Sequence, residues 1–249
     1  MRIIGNKPIV ARYIGNNPVI ARYVGENRIF PPRDYVRDNL YTHFDALDNQ
    51  GTGVHNPSAT TWVDLAGGRN GTLMGACVWV GDAVRTGDTT ASKVRFSGVL
   101  PTGLADYTIQ YTVSLDIKTA TNPYLSGLQP YPNVYAFSTN SYKYSWYSSG
   151  SDGVISPEKI WPTAKRVSLI VRYDSVARTV SFFENGVYIG GRTNINKATS
   201  VTYAWLGGRE ANDRTWQGRI SNYMLYTRGL TDAEIMNNYL VDKARFGIT

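Results

Sequence analysis

The stretch that most constrains the fold is Lys165 to Arg192, KRVSLIVRYDSVARTVSFFENGVYIGGR. Val167, Leu169, Val171 and Tyr173 alternate along one face of an extended run, the polar step Asp174-Ser175 turns the chain, and Thr179 to Phe183 forms a second run. Asn185-Gly186 then leads into Val187-Tyr188-Ile189. Period-two alternation of β-branched and aromatic residues, with Asn-Gly between the runs, is the strongest short-range hairpin signal. The pattern predicts the middle of an antiparallel sheet.

A chain of 249 residues, 42% hydrophobic, can bury a full core as one main domain. Its 18 Tyr, 6 Trp and 24 Gly suit a turn-rich all-β protein better than a helical one. A single cysteine, Cys77, forms no intrachain disulfide and reads as a small buried hydrophobe. The N-terminus lacks the apolar core of a secretory signal, and no apolar run reaches the ~18 residues of a membrane span. The expectation is a protein made and folded in the cytoplasm. Of the net charge of +7, residues 1–40 hold +4 and the other 209 hold +3, so a basic arm precedes a nearly neutral body.

That arm is a repeat. Ile4-Gly5-Asn6-Lys7-Pro8-Ile9-Val10-Ala11-Arg12-Tyr13 is followed by Ile14-Gly15-Asn16-Asn17-Pro18-Val19-Ile20-Ala21-Arg22-Tyr23, then by the degenerate Val24-Gly25-Glu26-Asn27-Arg28-Ile29-Phe30. Each unit reads as one strand and one turn. Such strands have little to bury against one another. They either form a small flap on the body or pair with other chains. Arg12, Tyr13, Arg22, Tyr23, Arg28 and Phe30 are the candidate assembly residues. The prolines Pro31-Pro32 end the arm, residues 1–33, and 34–39 read as a linker.

In the body, residues 40–249, strands are expected at Leu40 to Asp45, Thr72 to Val80, Lys93 to Phe96, Tyr107 to Ile117, within Val134 to Tyr147, and at Val201 to Leu206 and Arg219 to Tyr226. Ala120 to Pro132 reads as a loop. Trp62 is expected in the core, and Asp64 capping a Gly-rich turn. Thr231-Asp232-Ala233-Glu234 is a capping box, opening one amphipathic helix with Ile235, Tyr239 and Leu240 on the face packed at the sandwich edge.

Two segments carry a family resemblance. The hairpin V-x-L-x-V-x-Y-D followed by F-E-N-G-V-Y, and Gly218 to Tyr239, GRISNYMLYTRGLTDAEIMNNY, are similar to the central hairpin and to the last strand and closing helix of laminin G-like domains. Leu40 to Asn49 and Thr61-Trp62-Val63-Asp64-Leu65 resemble the opening of the same domains, which belong to the concanavalin A-like lectin and glucanase superfamily. The resemblance implies an all-β, two-sheet antiparallel jelly-roll sandwich with one short C-terminal helix, here preceded by a small β-repeat arm. The arm itself resembles the N-terminal attachment segments of bacteriophage virion proteins.

Glycoside hydrolases share this fold, but the E-x-D-x-E run that their jelly-roll members carry is absent, and only five Glu occur. Glu210 and Asp213 read as a solvated turn. There is no G-x-S-x-G, and His43, His55 and one Cys cannot assemble a zinc site. His43 reads as a packed strand residue. No metal is expected; the resemblance would suggest calcium, with Asp45, Asp48 and Asn49, or Asn212 and Asp213, as the oxygen donors, although turn roles fit them better. Sugars stack on aromatic faces. Tyr131, Tyr135, Tyr142, Tyr144, Trp146 and Trp161 are therefore the candidate glycan-binding residues. Nucleic acid finds no recognition module here.

The expectation is a non-enzymatic bacteriophage virion structural protein, a capsid- or tail-associated decoration or fibre-type subunit with no cofactor. Its arm meets other virion proteins in a homo-oligomer, with three copies as the first guess, and its jelly roll faces host or environmental glycans. A carbohydrate-binding or adhesion module of a bacterial protein is the alternative, and a glycoside hydrolase the third.

Overall fold

The computed structural model describes residues 13–14, 17–18, 22–24, 27–30, 34–87, 91–97, 106–117, 123–129, 133–137, 143–147, 160–195, 203–208 and 214–249, with the backbone alone for 13–30, 127–129, 133, 135–137, 147 and 203. The chain divides into two compact units, Met1–Tyr35 and Val36–Thr249.

In the first unit, β1 (Tyr13–Ile14) pairs antiparallel with β2 (Asn17–Pro18), and β3 (Arg22–Val24) with β4 (Asn27–Phe30). The Gly15-Asn16 and Gly25-Glu26 steps separate the partners of each pair.

The second unit holds β5 (Leu40–Asp45), β6 (Thr61–Trp62), β7 (Gly71–Met74), β8 (Val78–Trp79), β9 (Val84–Thr86), β10 (Lys93–Ser97), β11 (Tyr107–Leu115) and β12 (Tyr124–Gln129). It continues with β13 (Asn133–Phe137), β14 (Lys143–Tyr147), β15 (Arg166–Asp174), β16 (Thr179–Glu184), β17 (Val187–Arg192), β18 (Tyr203–Leu206), β19 (Gly218–Tyr226) and α1 (Asp232–Phe246). One sheet runs β14-β13-β12-β18-β10-β7-β6; the other runs β17-β16-β15-β11-β19-β9-β8, with β5 also paired to β19. All these strand pairs are antiparallel, and the inward rows of both sheets share one aromatic core. This is the expected two-sheet sandwich with its closing helix.

The opening hairpin lies where its pattern put it. Val167, Leu169, Val171 and Tyr173 of β15 are buried in the core. Asn185 and Gly186 both take positive φ, 52° and 77°, as a two-residue turn between right-twisted strands requires. Trp62 is buried, and the Asp64 carboxylate accepts from the backbone N–H groups of His43, Ala66, Gly67 and Arg69.

Expectations about one strand, a loop, the linker and the cysteine are corrected. Thr72 to Val80 is two strands in two sheets, because Gly75 turns the chain at φ 61° where a Cβ would lie 2.7 Å from the Ala91 carbonyl carbon. Within the stretch read as a loop, Tyr124–Gln129 is a central strand, its ladder filled by β13 and β18 on either side. The linker 34–39 is tied to the body from Val36 onward: the Val36 N–H donates to Asn238 Oδ1 at 2.9 Å, and Asp38 pairs with Arg228 at 2.9 Å. Cys77 is half-buried rather than buried.

The helix begins as its capping box requires, with Thr231 Oγ1 accepting from the Glu234 N–H and Glu234 accepting from the Thr231 N–H, and ends at Gly247 with φ 63°. It packs on the outer face of the eight-stranded sheet rather than at the sandwich edge, through Ile235, Asn238, Val241, Asp242 and Phe246. Two of these are polar. Asp242 accepts from Gln110 (2.6 Å), Ser168 (2.7 Å) and Asn222 (3.0 Å), while Asn238 donates to Gln110 and Tyr226. Short polar side chains on the outward rows of β11, β15 and β19 make this docking surface.

Candidate functional site

Along β14 the pleat puts Tyr144 and Trp146 on one face, and Trp146 stands opposite Val134 of β13. That face points inward: Tyr144, Trp146 and Val134 are all buried in the core. Trp161 joins them, 4.1 Å from the Tyr144 ring and 4.9 Å from that of Trp216. The expectation that Tyr144, Trp146 and Trp161 form a sugar platform is therefore corrected, because the strand pairing that builds the sheet spends these rings on the core. Tyr135 is placed by register opposite Tyr124 and Ser145, with its side chain beyond the description. Tyr131 and Tyr142 lie outside the described residues.

The Tyr144 hydroxyl donates to the Glu184 carboxylate of the opposite sheet. Burial and the Glu184 charge push this phenol far above its ordinary range. It is a neutral strut, with none of the lowered pKa of an activated nucleophile.

The calcium candidates are used by the fold. Asp45 is buried, accepts from the Leu47 N–H and pairs with Arg245; burial raises its pKa while Arg245 opposes the rise. Asp48 closes a turn on the N–H groups of Thr52 and Gly53, and the Asn49 amide spans to both backbone groups of Asn56. Among the described residues no three His, Cys, Asp or Glu side chains gather as metal ligands. Asn212, Asp213 and Glu210 lie outside them, as does Arg12. Tyr13, Arg22, Tyr23, Arg28 and Phe30 are placed on arm strands by their backbone alone.

What the structure does bring together is a group of cations and aromatics on the outward row of the seven-stranded sheet. Arg95 of β10 stands opposite Trp205 of β18. The Lys93 ammonium lies 4.3 Å from the indole centroid and the Arg95 guanidinium 5.3 Å from it. Across the next strand, Arg214 lies 5.7 Å from the Tyr124 ring. Lys93, Trp205 and Tyr124 are only 2%, 5% and 7% exposed, whereas Arg95 is open to solvent and Arg214 is half-buried. Such cation–π pairs fix flat aromatic and polar groups side by side. The sequence held a signal for them: KVRFS and YAWL alternate, and once Val94, Phe96, Ala204 and Leu206 face the core, Lys93, Arg95 and Trp205 must face out.

Two stacked antiparallel sheets with a helix closing over one of them define a lectin-type jelly roll. Residues 86–236, more than half of the chain, match a laminin G family described as the concanavalin A-like lectin/glucanases superfamily, and the chain belongs to it. No curated protein sequence matches the chain. Among solved structures it is similar to Trypanosoma rangeli sialidase in complex with the inhibitor DANA, with a TM-score of 0.64 and 14% identity over 89% of this chain and 35% of that one. It is also similar to the receptor binding domain of botulinum neurotoxin C/D mosaic serotype, with a TM-score of 0.60 and 12% identity over 82% of this chain and 51% of that one. The chain thus spans about a third of the sialidase and half of the toxin domain, and at these identities the likeness is one of fold. No helix among the described residues is long and apolar enough to cross a membrane.

Proposed function

We propose that the chain is a non-enzymatic virion protein of a bacteriophage, in which the basic arm attaches the subunit to other virion proteins and the lectin-type body binds glycans. The observation that carries the glycan reading is the solvent-exposed Arg95 guanidinium on the outer face of the seven-stranded sheet, held over the buried Trp205 with the half-buried Arg214 beside Tyr124, in a lectin-type sandwich. A few placed polar donors, such as an oriented guanidinium, are what fix the hydroxyls of a bound sugar. Against catalysis stands the use made of the described acids: Glu184 holds Tyr144, Glu234 caps α1, Asp64 closes a turn and Asp242 docks the helix. One of the solved structures it resembles is a receptor binding domain, which agrees with a recognition role. Many copies on a particle convert a weak single-site affinity into adhesion.

The test is a glycan array probed with the full chain and with Arg95→Ala. Selective binding by the first and its loss in the second supports the reading; hydrolysis of any bound glycan, or binding unchanged by the substitution, refutes it.

A further inference from the structure

One outward row of the eight-stranded sheet crosses β11, β15, β16 and β17 as Gln110, Ile170, Phe183 and Tyr188. Helix α1 lies over its start, where Gln110 bonds Asn238 and Asp242, and Ile170 and Phe183 are buried. The row surfaces at Tyr188, on the strand that ends the sheet. At 58%, Tyr188 is the most exposed aromatic among the described residues.

A single exposed tyrosine is ordinary on a protein surface. This one is set apart by how it is held and by what stands in line with it. A Cβ on Gly191 would lie 2.3 Å from the Val180 carbonyl oxygen and 3.2 Å from the Tyr188 hydroxyl, so the phenol leans along its own strand over a residue that has no side chain to lift it. Phe183 meets the ring from one side, at 5.6 Å between centroids and 71° between planes, and no other ring or cation lies on it among the described residues. The result is an aromatic platform laid low over the strand and open to solvent.

The tyrosine leans into the next row, which runs from Gly191 through Ser181 to Arg172. Arg172 stands two strands away, about 10 Å at the usual strand spacing. Its guanidinium lies 4.9 Å from the Phe183 centroid, and its Nη1 donates at 2.8 Å to both the Leu230 carbonyl and Asp232 Oδ1. The Asp232 side chain is 78% exposed, and its Oδ2 has no partner among the described residues. A carboxylate oriented in this way accepts charge-assisted hydrogen bonds from hydroxyl groups. The two charges of the pair cancel, so the line favours a ligand that is polar but uncharged. A protein interface needs about 800 Å² from each partner; the exposed large apolar side chains flanking this turn are Val187 and Met236 beside Tyr188, a face suited to something smaller.

We infer that Tyr188, Ser181 and the Arg172–Asp232 pair form a second glycan subsite, for a neutral polysaccharide. A pyranose with equatorial hydroxyls has an apolar C–H face of slight positive charge, which matches the negative face of the Tyr188 ring. Its neighbour along the same polymer then reaches Asp232 through its hydroxyls. The subsite is on the opposite sheet from Arg95 and Trp205, and the inference rests on the glycan-binding reading of the body.

The experiment passes the full chain over immobilised β-glucan, a neutral polymer of glucose, and over alginate, a charged polyuronate. β-Glucan is expected to retain the parent. Tyr188→Ala is expected to weaken that retention by about tenfold, and Tyr188→Phe by less than about twofold, because phenylalanine keeps the stacking face. Asp232→Asn weakens it by about threefold. These are surface changes, so thermal midpoints without ligand stay within a few degrees of the parent. Retention unchanged in Tyr188→Ala overturns the assignment, as does alginate held more tightly than β-glucan through the same tyrosine. Loss in Arg95→Ala alone would assign the β-glucan to the Trp205 face and remove this subsite. Failure on β-glucan by a chain that still binds other glycans removes the subsite and leaves the general reading standing; failure on every glycan removes both.

Discussion

The Tyr144 hydroxyl donates to the Glu184 carboxylate, so a buried hydrogen bond ties the seven-stranded sheet to the eight-stranded one. Deleting the donor leaves a carboxylate that is 8% exposed without that contact. Tyr144→Phe is expected to lower stability by about 1–3 kcal/mol. Urea unfolding checks it, and an unchanged midpoint would show that the pair contributes nothing.

The same phenol belongs to a set. Burial is the largest cause raising Tyr107, Tyr111, Tyr144, Tyr223 and Tyr226 above the ordinary value of 10.0. For groups raised in the folded state, the stabilisation is complete below the unfolded value and is lost as pH rises above it. Stability should fall steeply above about pH 10, and the near-ultraviolet absorbance of phenolate should appear together with loss of the fold. Titration of all the tyrosines while the near-ultraviolet circular dichroism stays native would contradict this.

On the acid side the governing group is His43. It lies buried on β5, and burial, then Arg37 and Arg245, push its imidazole from 6.5 down to about 3. A lowered group stabilises fully above its unfolded value and loses that contribution as pH falls from 6.5 toward 3. Asp45 runs the other way, because burial raises it and its folded form keeps the proton longer. Comparing the parent with His43→Gln isolates the histidine: between pH 7 and 5 the parent should lose about 2 kcal/mol more than the variant. Parallel losses would refute the assignment.

Helix α1 depends on polar docking as much as on its apolar residues. Asp242→Ala strands the donors of Gln110, Ser168 and Asn222 beneath the helix. A cost of about 3 kcal/mol is expected, against about 1 kcal/mol for removing the N-cap in Thr231→Ala. Amide exchange across 232–246 should accelerate far more in the first variant than in the second. Equal effects would mean that the network is dispensable.

What could be read in the sequence was local. The 165–192 hairpin, the Asp64 turn and the Thr231–Glu234 cap depend on neighbours within a few residues, and each was legible in the order of side chains. Choices made at long range were not. Tyr124–Gln129 has the composition of a loop, and only its position between β13 and β18 makes it a strand. Nothing local marks Asn238 and Asp242 of α1 for burial; Gln110 and Asn222, more than a hundred residues apart in the chain, are the partners that receive them. The aromatics of 124–161 advertised a sugar platform, but an aromatic-rich strand shows its rings to the core as readily as to solvent, and the pairing of Trp146 with Val134 settled which. Cations opposite one another in separate strands, such as Arg85 and Arg219, leave no local pattern at all.

The arm supplies the last prediction. Its strand pairs are short, with two residues in β1 and two in β2, and paired ribbons of this size do not hold in water alone. Unit 36–249 has its own core and its own hydrogen bonds from Val36 onward, so deleting residues 1–33 should leave the thermal midpoint of the body unchanged. Light scattering of the full chain is expected to show an oligomer, with a homotrimer as the specific expectation, and the truncated chain a monomer. Because the arm carries most of the excess positive charge, raising the salt concentration should weaken the oligomer if it meets acidic surfaces. A truncated chain that still assembles at full strength would place the interface on the jelly roll, and the arm would lose its role in assembly.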